Sequence, residues 1–250
     1  MGSTGKSAAP ITTQNAVSQG LADTADSDTV QKYYKDNFGI EVGGSYFKDN
    51  LDPKILARTS EVLDRLVAEL GKDTFDEMGI KIVSYSGIKG RAYAQTDLAS
   101  RRITVNPAQF KDYDSLKASV HGDVQSGFHP KGTKAGDIIV HEFGHNLEFL
   151  INQRQNQGNK LNMCIADAQQ TYSKAIVRQA YAELKAEQPN LYKTEKHARA
   201  SISKYADSKW HGATAYTECM AEAVSDYGRN GKNANPLSIK IWEGIKAMLK

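Results

Sequence analysis

The sequence predicts an α+β fold in which a small β-sheet packs on a mainly helical C-terminal part. Two short runs in the first half, residues 80–85 and 102–106, alternate apolar and polar side chains and carry β-branched residues, the pattern of half-buried strands. Beyond Gly136 nearly all the chain to Lys250 repeats its apolar side chains at helical spacing. Strands and helices thus come in separate blocks, which favours α+β packing over a doubly wound parallel sheet.

Residues 1–28 are rich in Gly, Ser, Thr, Ala, Gln and Asp and hold few large apolar side chains. Such a segment buries too little surface to offset its ordering entropy, so it is expected to be a flexible arm, leaving 29–250 as one folded domain. Gly5-Lys6-Ser7 resembles the end of a phosphate-binding loop, but no strand precedes it and the first Gly of that motif has no room. At Asp52-Pro53 a helix begins: Pro53 suits the first turn, Ile55, Leu56, Val62, Leu63, Leu66, Val67 and Leu70 recur at helical spacing, and Gly71 can end it. The two strand-like runs follow, and the Gly-containing stretch between them is expected to close a hairpin. Next comes a loop with Gly122, Gly127, Pro130, Gly132 and Gly136, then helices expected over 137–152, 161–187, 194–207, 215–228 and 236–249. There is no internal repeat.

The chemistry lies in the first of these helices, which reads Ile138-Ile139-Val140-His141-Glu142-Phe143-Gly144-His145-Asn146-Leu147. Four residues of helix turn through about 400° and rise about 6 Å, so His141 and His145 project from one face and can grip a single tetrahedral ion. Glu142 adjoins the first ligand and can take a proton from a water at the open coordination position. The surrounding apolar residues anchor the helix in the core, where two unpaired histidines would be costly to bury. Such a zinc site needs a third protein ligand. A His ten residues after the first is absent, since position 151 is Ile and position 148 is Glu. A later helix supplies Glu218 and Glu222, one turn apart on one face, so that one can bind the metal while the other accepts from a ligand imidazole. His121, His129 and His197 have no ligand-like spacing and are expected on the surface or in loops. Trp210 and Trp242 are expected to pack.

His141-Glu142-Phe143-Gly144-His145, then Ile202-Ser203-Lys204-Tyr205-Ala206, then Glu218-Cys219-Met220-Ala221-Glu222-Ala223 together resemble the gluzincin metallopeptidases related to the catalytic domain of anthrax lethal factor. Similar domains occur in phage head-morphogenesis and minor capsid proteins. The resemblance covers roughly 80–230 and implies a zincin-like active-site helix, Glu218 as third zinc ligand and Tyr205 as a hydrogen-bond donor to the transition state. Tyr205 lies thirteen residues before Glu218, further than the family pattern, as though 207–214 held an insertion. Tyr216 is therefore a competing phenol, and His211 in the insertion could also reach the site. The run from Glu222 to Asp226 is similar instead to the thermolysin third-ligand segment, which would make Glu222 the ligand.

The expected activity is zinc-dependent hydrolysis of a protein or peptide, with an extended substrate pairing to an edge strand, for which 102–106 is the candidate. The alternative is a phage virion or assembly protein, with phage structural proteins as partners and a metal site that only stabilises the fold. Glu142 argues against that alternative, because a structural zinc needs no base. Lys and Arg total 32 against 29 Asp and Glu, too even a balance to argue for nucleic acid or an anionic membrane. No run approaches the roughly 20 apolar residues needed to cross a bilayer, and the N-terminus lacks the apolar core of a signal peptide, so the chain is expected to be made in the cytoplasm. Two cysteines, Cys164 and Cys219, are too few for a disulfide framework and are expected to be reduced.

Overall fold

A computed structural model describes residues 21–43, 50–88, 92–210 and 212–250. It has the expected α+β architecture, mostly helical with one small mixed sheet. Helix α1 (Ser27–Phe38) is capped by Asp26, whose side chain accepts from Thr29 N, and it buries Val30, Tyr34 and Phe38. It thus begins within the segment expected to be a flexible arm. Leu21 packs on the core, and Asp23 forms an ion pair with Arg58, so the described end of that segment belongs to the fold. Gly5-Lys6-Ser7 lies outside the described residues.

After β1 (Glu41–Val42), α2 (Pro53–Leu70) runs as expected, with Asp52 accepting from Lys54 N and Pro53 in the first turn. Then come α3 (Lys72–Met78), β2 (Lys81–Ser84), β3 (Ala94–Asp97) and β4 (Arg102–Val105). The sheet order is β1-β2-β4-β3. Both expected strands exist, but they pair parallel, with Ile82 opposite Ile103, rather than as a hairpin. The hairpin partner of β4 is β3, antiparallel to it. Asp97 makes that turn: its side chain accepts from Ala99 N and Ser100 N, and Arg101 adopts φ 55°. Run 102–106 is consequently interior, and the edge strands are β1 and, next to β4, β3.

Helices α4 (Pro107–Phe110) and α5 (Tyr113–Gln125) follow, so Gly122, read as loop, lies in a helix capped by Asp112. Only Leu116 and Val120 of α5 are buried, too few to give a periodic signal. The long helix α6 (Asp137–Gln155) matches expectation. The single helix expected over 161–187 is two, α7 (Lys160–Ala168) and α8 (Thr171–Glu187), broken where Gln170 takes φ 50°. Helix α9 (Glu195–Ile202) ends earlier than expected, because Ser203 is extended and starts the turn that carries Tyr205. A small hairpin, β5 (Lys209–Trp210) and β6 (Ala213–Thr214), occupies the suspected insertion. Then come α10 (Tyr216–Asn230), a 3₁₀ turn (Gly231–Asn233) and α11 (Pro236–Leu249).

Helix α10 is the centre of the C-terminal block, packed against α6 and α11. Trp242 is fully buried, stacks on Tyr227 at 5.1 Å, and donates from Nε1 to Glu69 at 2.8 Å. Both cysteines are free. Among the described residues no helix is long and apolar enough to cross a membrane.

Candidate metal centre

Helices α6 and α10 run antiparallel, and their register sets the site. At one end the buried Asp137 carboxylate accepts from Arg229 Nη2 at 2.6 Å, and Ser225 Oγ donates to Asp137 O at 3.2 Å. One and two turns further along α6 come His141 and His145, facing Glu222 and Glu218. Between the histidines, Gly144 lets the two backbones close: a Cβ there would lie 2.8 Å from Ala221 Cα. Gly144→Ala would raise stability by about 1 kcal/mol on an isolated helix. Here overpacking is expected to reverse the sign, at a cost of about 1–3 kcal/mol read as a lower melting temperature. A stabilised variant would show that the helices can part freely.

At the other end Gln170, the residue that breaks the expected helix, fastens the start of α10. Its Oε1 accepts from Tyr216 N at 2.6 Å and Thr217 N at 3.2 Å, and its Nε2 donates to Thr214 O at 3.0 Å. A helix start that lacks its own side-chain cap is thereby satisfied from another segment, right beside Glu218.

His141 Nε2 and His145 Nε2 lie 3.2 and 3.5 Å from the same oxygen, Glu218 Oε2. One ligand atom from each residue falls within 4.8 Å of the others, so His141, His145 and Glu218 could hold a metal ion. Glu218 Oε2 is buried and has no hydrogen-bond partner despite the nearby imidazoles. Donor atoms that converge without hydrogen-bonding one another fit a cation between them. Burial alone would raise the Glu218 carboxyl, but the two imidazoles outweigh it and hold it well below the usual range. Burial likewise works against the charged form of His141, while Glu218 and Glu222 push its pKa well above the ordinary value.

Glu222 plays a different part. It is 1% exposed, its Oε1 lies 2.8 Å from His141 Nδ1 and 3.2 Å from His129 Nδ1, and its Oε2 accepts from Ser203 Oγ at 2.9 Å. Burial opposes its charge, yet the contacts with His129 and His141 bring its pKa down to about 2. An anion against His141 Nδ1 favours the tautomer whose Nε2 lone pair faces the metal position. His129, expected on the surface or in a loop, does lie in a loop, but it is buried against this carboxylate. Its loop position between Gly127 and Pro130 holds no periodic signal that could have revealed this.

Ser203 also accepts from Ala206 N at 2.9 Å, and the backbone of Lys204 and Tyr205 bonds to Gly127 and Phe128. This tight turn lays Tyr205 over His141, rings 5.5 Å apart and nearly parallel, with Phe128 stacked on its other side at 4.9 Å. Burial and the Glu218 charge raise the Tyr205 pKa, keeping its hydroxyl protonated. Tyr216 points elsewhere, donating to Glu195 at 2.9 Å and accepting from Arg178 at 3.3 Å. His121 and His197 are exposed as expected, while His211 and the side chain of Trp210 lie outside the described residues.

Glu142 is 7% exposed, and its Oε2 accepts from Thr96 Oγ1 at 2.7 Å. Thr96, missed in the sequence, belongs to edge strand β3, which therefore lies against the turn of α6 that carries His141 and Glu142. Two cavities of about 650 and 490 Å3 flank the cluster, and both are lined by Ala94, His141, Glu142 and Tyr205. The metal position is thus the waist of a cleft that runs beside β3. Comparison with protein-family models, curated proteins and solved structures gives no match.

Proposed function

We propose that the chain is a zinc-dependent metalloendopeptidase of gluzincin type. The observation that carries this reading is a base, Glu142, placed beside a three-residue metal group in an open cleft. Two imidazoles and one carboxylate are the donor set of catalytic zinc, which leaves a coordination position free. Zinc, when bound, supplies a Lewis acid that makes a water acidic near neutral pH and polarises a carbonyl. Glu142, held in position by Thr96, would serve as the base that takes a proton from a water in the cleft. Tyr205 donates its hydroxyl hydrogen bond to the oxygen that gains charge at the scissile carbonyl. Glu222, His129 and Ser203 orient His141, and β3 offers its free edge to an extended peptide. The alternative of a purely structural metal site leaves the contact of Glu142 with Thr96 and the cleft without a purpose.

The reading is tested by elemental analysis and a peptide library. About one zinc per chain is expected, lost in His141→Ala and in His145→Ala, with peptide cleavage that follows zinc content. A zinc-loaded protein that cleaves no peptide would overturn the proposal. Tyr205→Phe should lower turnover by about 10²-fold with zinc binding intact, whereas Tyr216→Phe should leave turnover nearly unchanged. The reverse order would show that the phenol at the reacting carbonyl has been misassigned.

A further inference from the structure

We propose that the cleft takes a basic peptide, with a Lys or Arg side chain seated against Asp123 in the cavity beside Glu142. This rests on the peptidase reading and names the substrate class for it. The larger cavity is walled by the rings of Tyr93, Phe128 and Tyr205 and floored by Ile138. Ser119 and Asp123, one turn apart on α5, bring polarity to the side of this chamber away from His129, His141 and Glu142. Tyr93 donates to Asp123 Oδ2 at 2.6 Å, which fixes the carboxylate in the wall. Among the described residues no Lys, Arg or His pairs with Asp123, and no Lys or Arg lines either cavity. On the far side of the metal position the smaller cavity adds Glu148 and Asp167.

An aliphatic stem ending in a cation matches these walls: aromatic faces attract it, the stem covers apolar surface, and the anchored carboxylate meets its charge. An acidic side chain seated against Asp123 would meet a like charge, with no Lys or Arg on the cavity wall to offset it. The excess of carboxylates in a cleft with low-dielectric walls also draws in a basic chain from a distance.

The test uses the zinc-loaded full chain and a peptide library varied at each position around the cleavage point. Lys or Arg at one position should raise kcat/KM about tenfold or more over Gln. Asp123→Asn should bring cleavage of the Arg peptide down to that of the Gln peptide, and Asp123→Lys should favour Glu there. As a second readout, zinc-loaded Glu142→Gln protein should bind a fluorescent Arg peptide, and adding Asp123→Asn should weaken that binding about tenfold. Cleavage without a basic preference, or a preference that survives Asp123→Asn, overturns the inference and leaves the peptidase reading intact. Asp123-dependent binding of the Arg peptide with no cleavage of any peptide by the wild-type chain overturns the peptidase reading and leaves the basic-ligand site standing. If the Arg peptide is neither bound nor cleaved, both fall.

Discussion

Glu142→Gln is expected to keep zinc, fold and melting temperature while losing about 10²–10⁴-fold in turnover, the range for removal of a positioned base. The amide has almost the same shape as the carboxylate and can still accept from Thr96, whose hydroxyl lies 2.7 Å from Oε2. What it cannot do is take a proton. The carboxylate stays within the cleft because it is 7% exposed and held from β3, so rescue by another acid is not expected: Glu218 and Glu222 are both engaged with imidazoles. Thr96→Val provides the graded control. It leaves the base in place but frees its rotamer, so a smaller loss in kcat at unchanged zinc content should follow. A Glu142→Gln protein that hydrolyses peptide at the wild-type rate, with zinc and folding verified, would end the mechanism.

The residues that could be read from the sequence are those whose meaning is local. His141, Glu142 and His145 lie within one turn and a fraction of a single helix, so helical geometry alone places two imidazoles on one face. Helices α2, α6, α10 and α11 could likewise be read from apolar spacing, because each buries a continuous stripe. Strand β3 escaped because an edge strand of sequence Ala-Gln-Thr-Asp carries no apolar alternation, although Thr96 on it touches Glu142. Without β3, the sequence shows only β2 and β4, which predicts a hairpin between them and an edge at 102–106, a strand that β3 in fact covers. Gln170 escaped for a different reason. The segment around it has unbroken helical composition, and the break is stabilised by hydrogen bonds to residues 214–217, which lie more than forty positions away. His129 is a third case, since its burial depends on Glu222, 93 residues along the chain. Periodicity reports what one element buries, and it says nothing about which distant carboxylate a loop histidine will meet.

The choice between Glu218 and Glu222 shows how structure adds to a sequence that offered both. Glu218→Gln should weaken zinc binding more than Glu222→Gln, because it removes one of three ligands. Loss of a group that orients a ligand typically costs about 10–100-fold. The oxygens support the order. Glu218 Oε2 is buried, without a hydrogen-bond partner and faces both imidazole Nε2 atoms, whereas both Glu222 oxygens are hydrogen-bonded, one to His129 and one to Ser203. The two variants should also separate without metal. Glu222→Gln disturbs a buried network and should lower the melting temperature of the zinc-free protein, because an amide in its place must present an N–H to groups that now donate. Glu218→Gln breaks no hydrogen bond of good geometry and loses only its charge contacts with the two imidazoles, so it should change zinc-free stability less. Zinc dissociation constants and zinc-free melting curves of both variants decide the matter. If Glu222→Gln is the weaker zinc binder and the more stable zinc-free protein, Glu222 is the ligand and the antiparallel register of α6 and α10 places the metal one turn nearer Asp137.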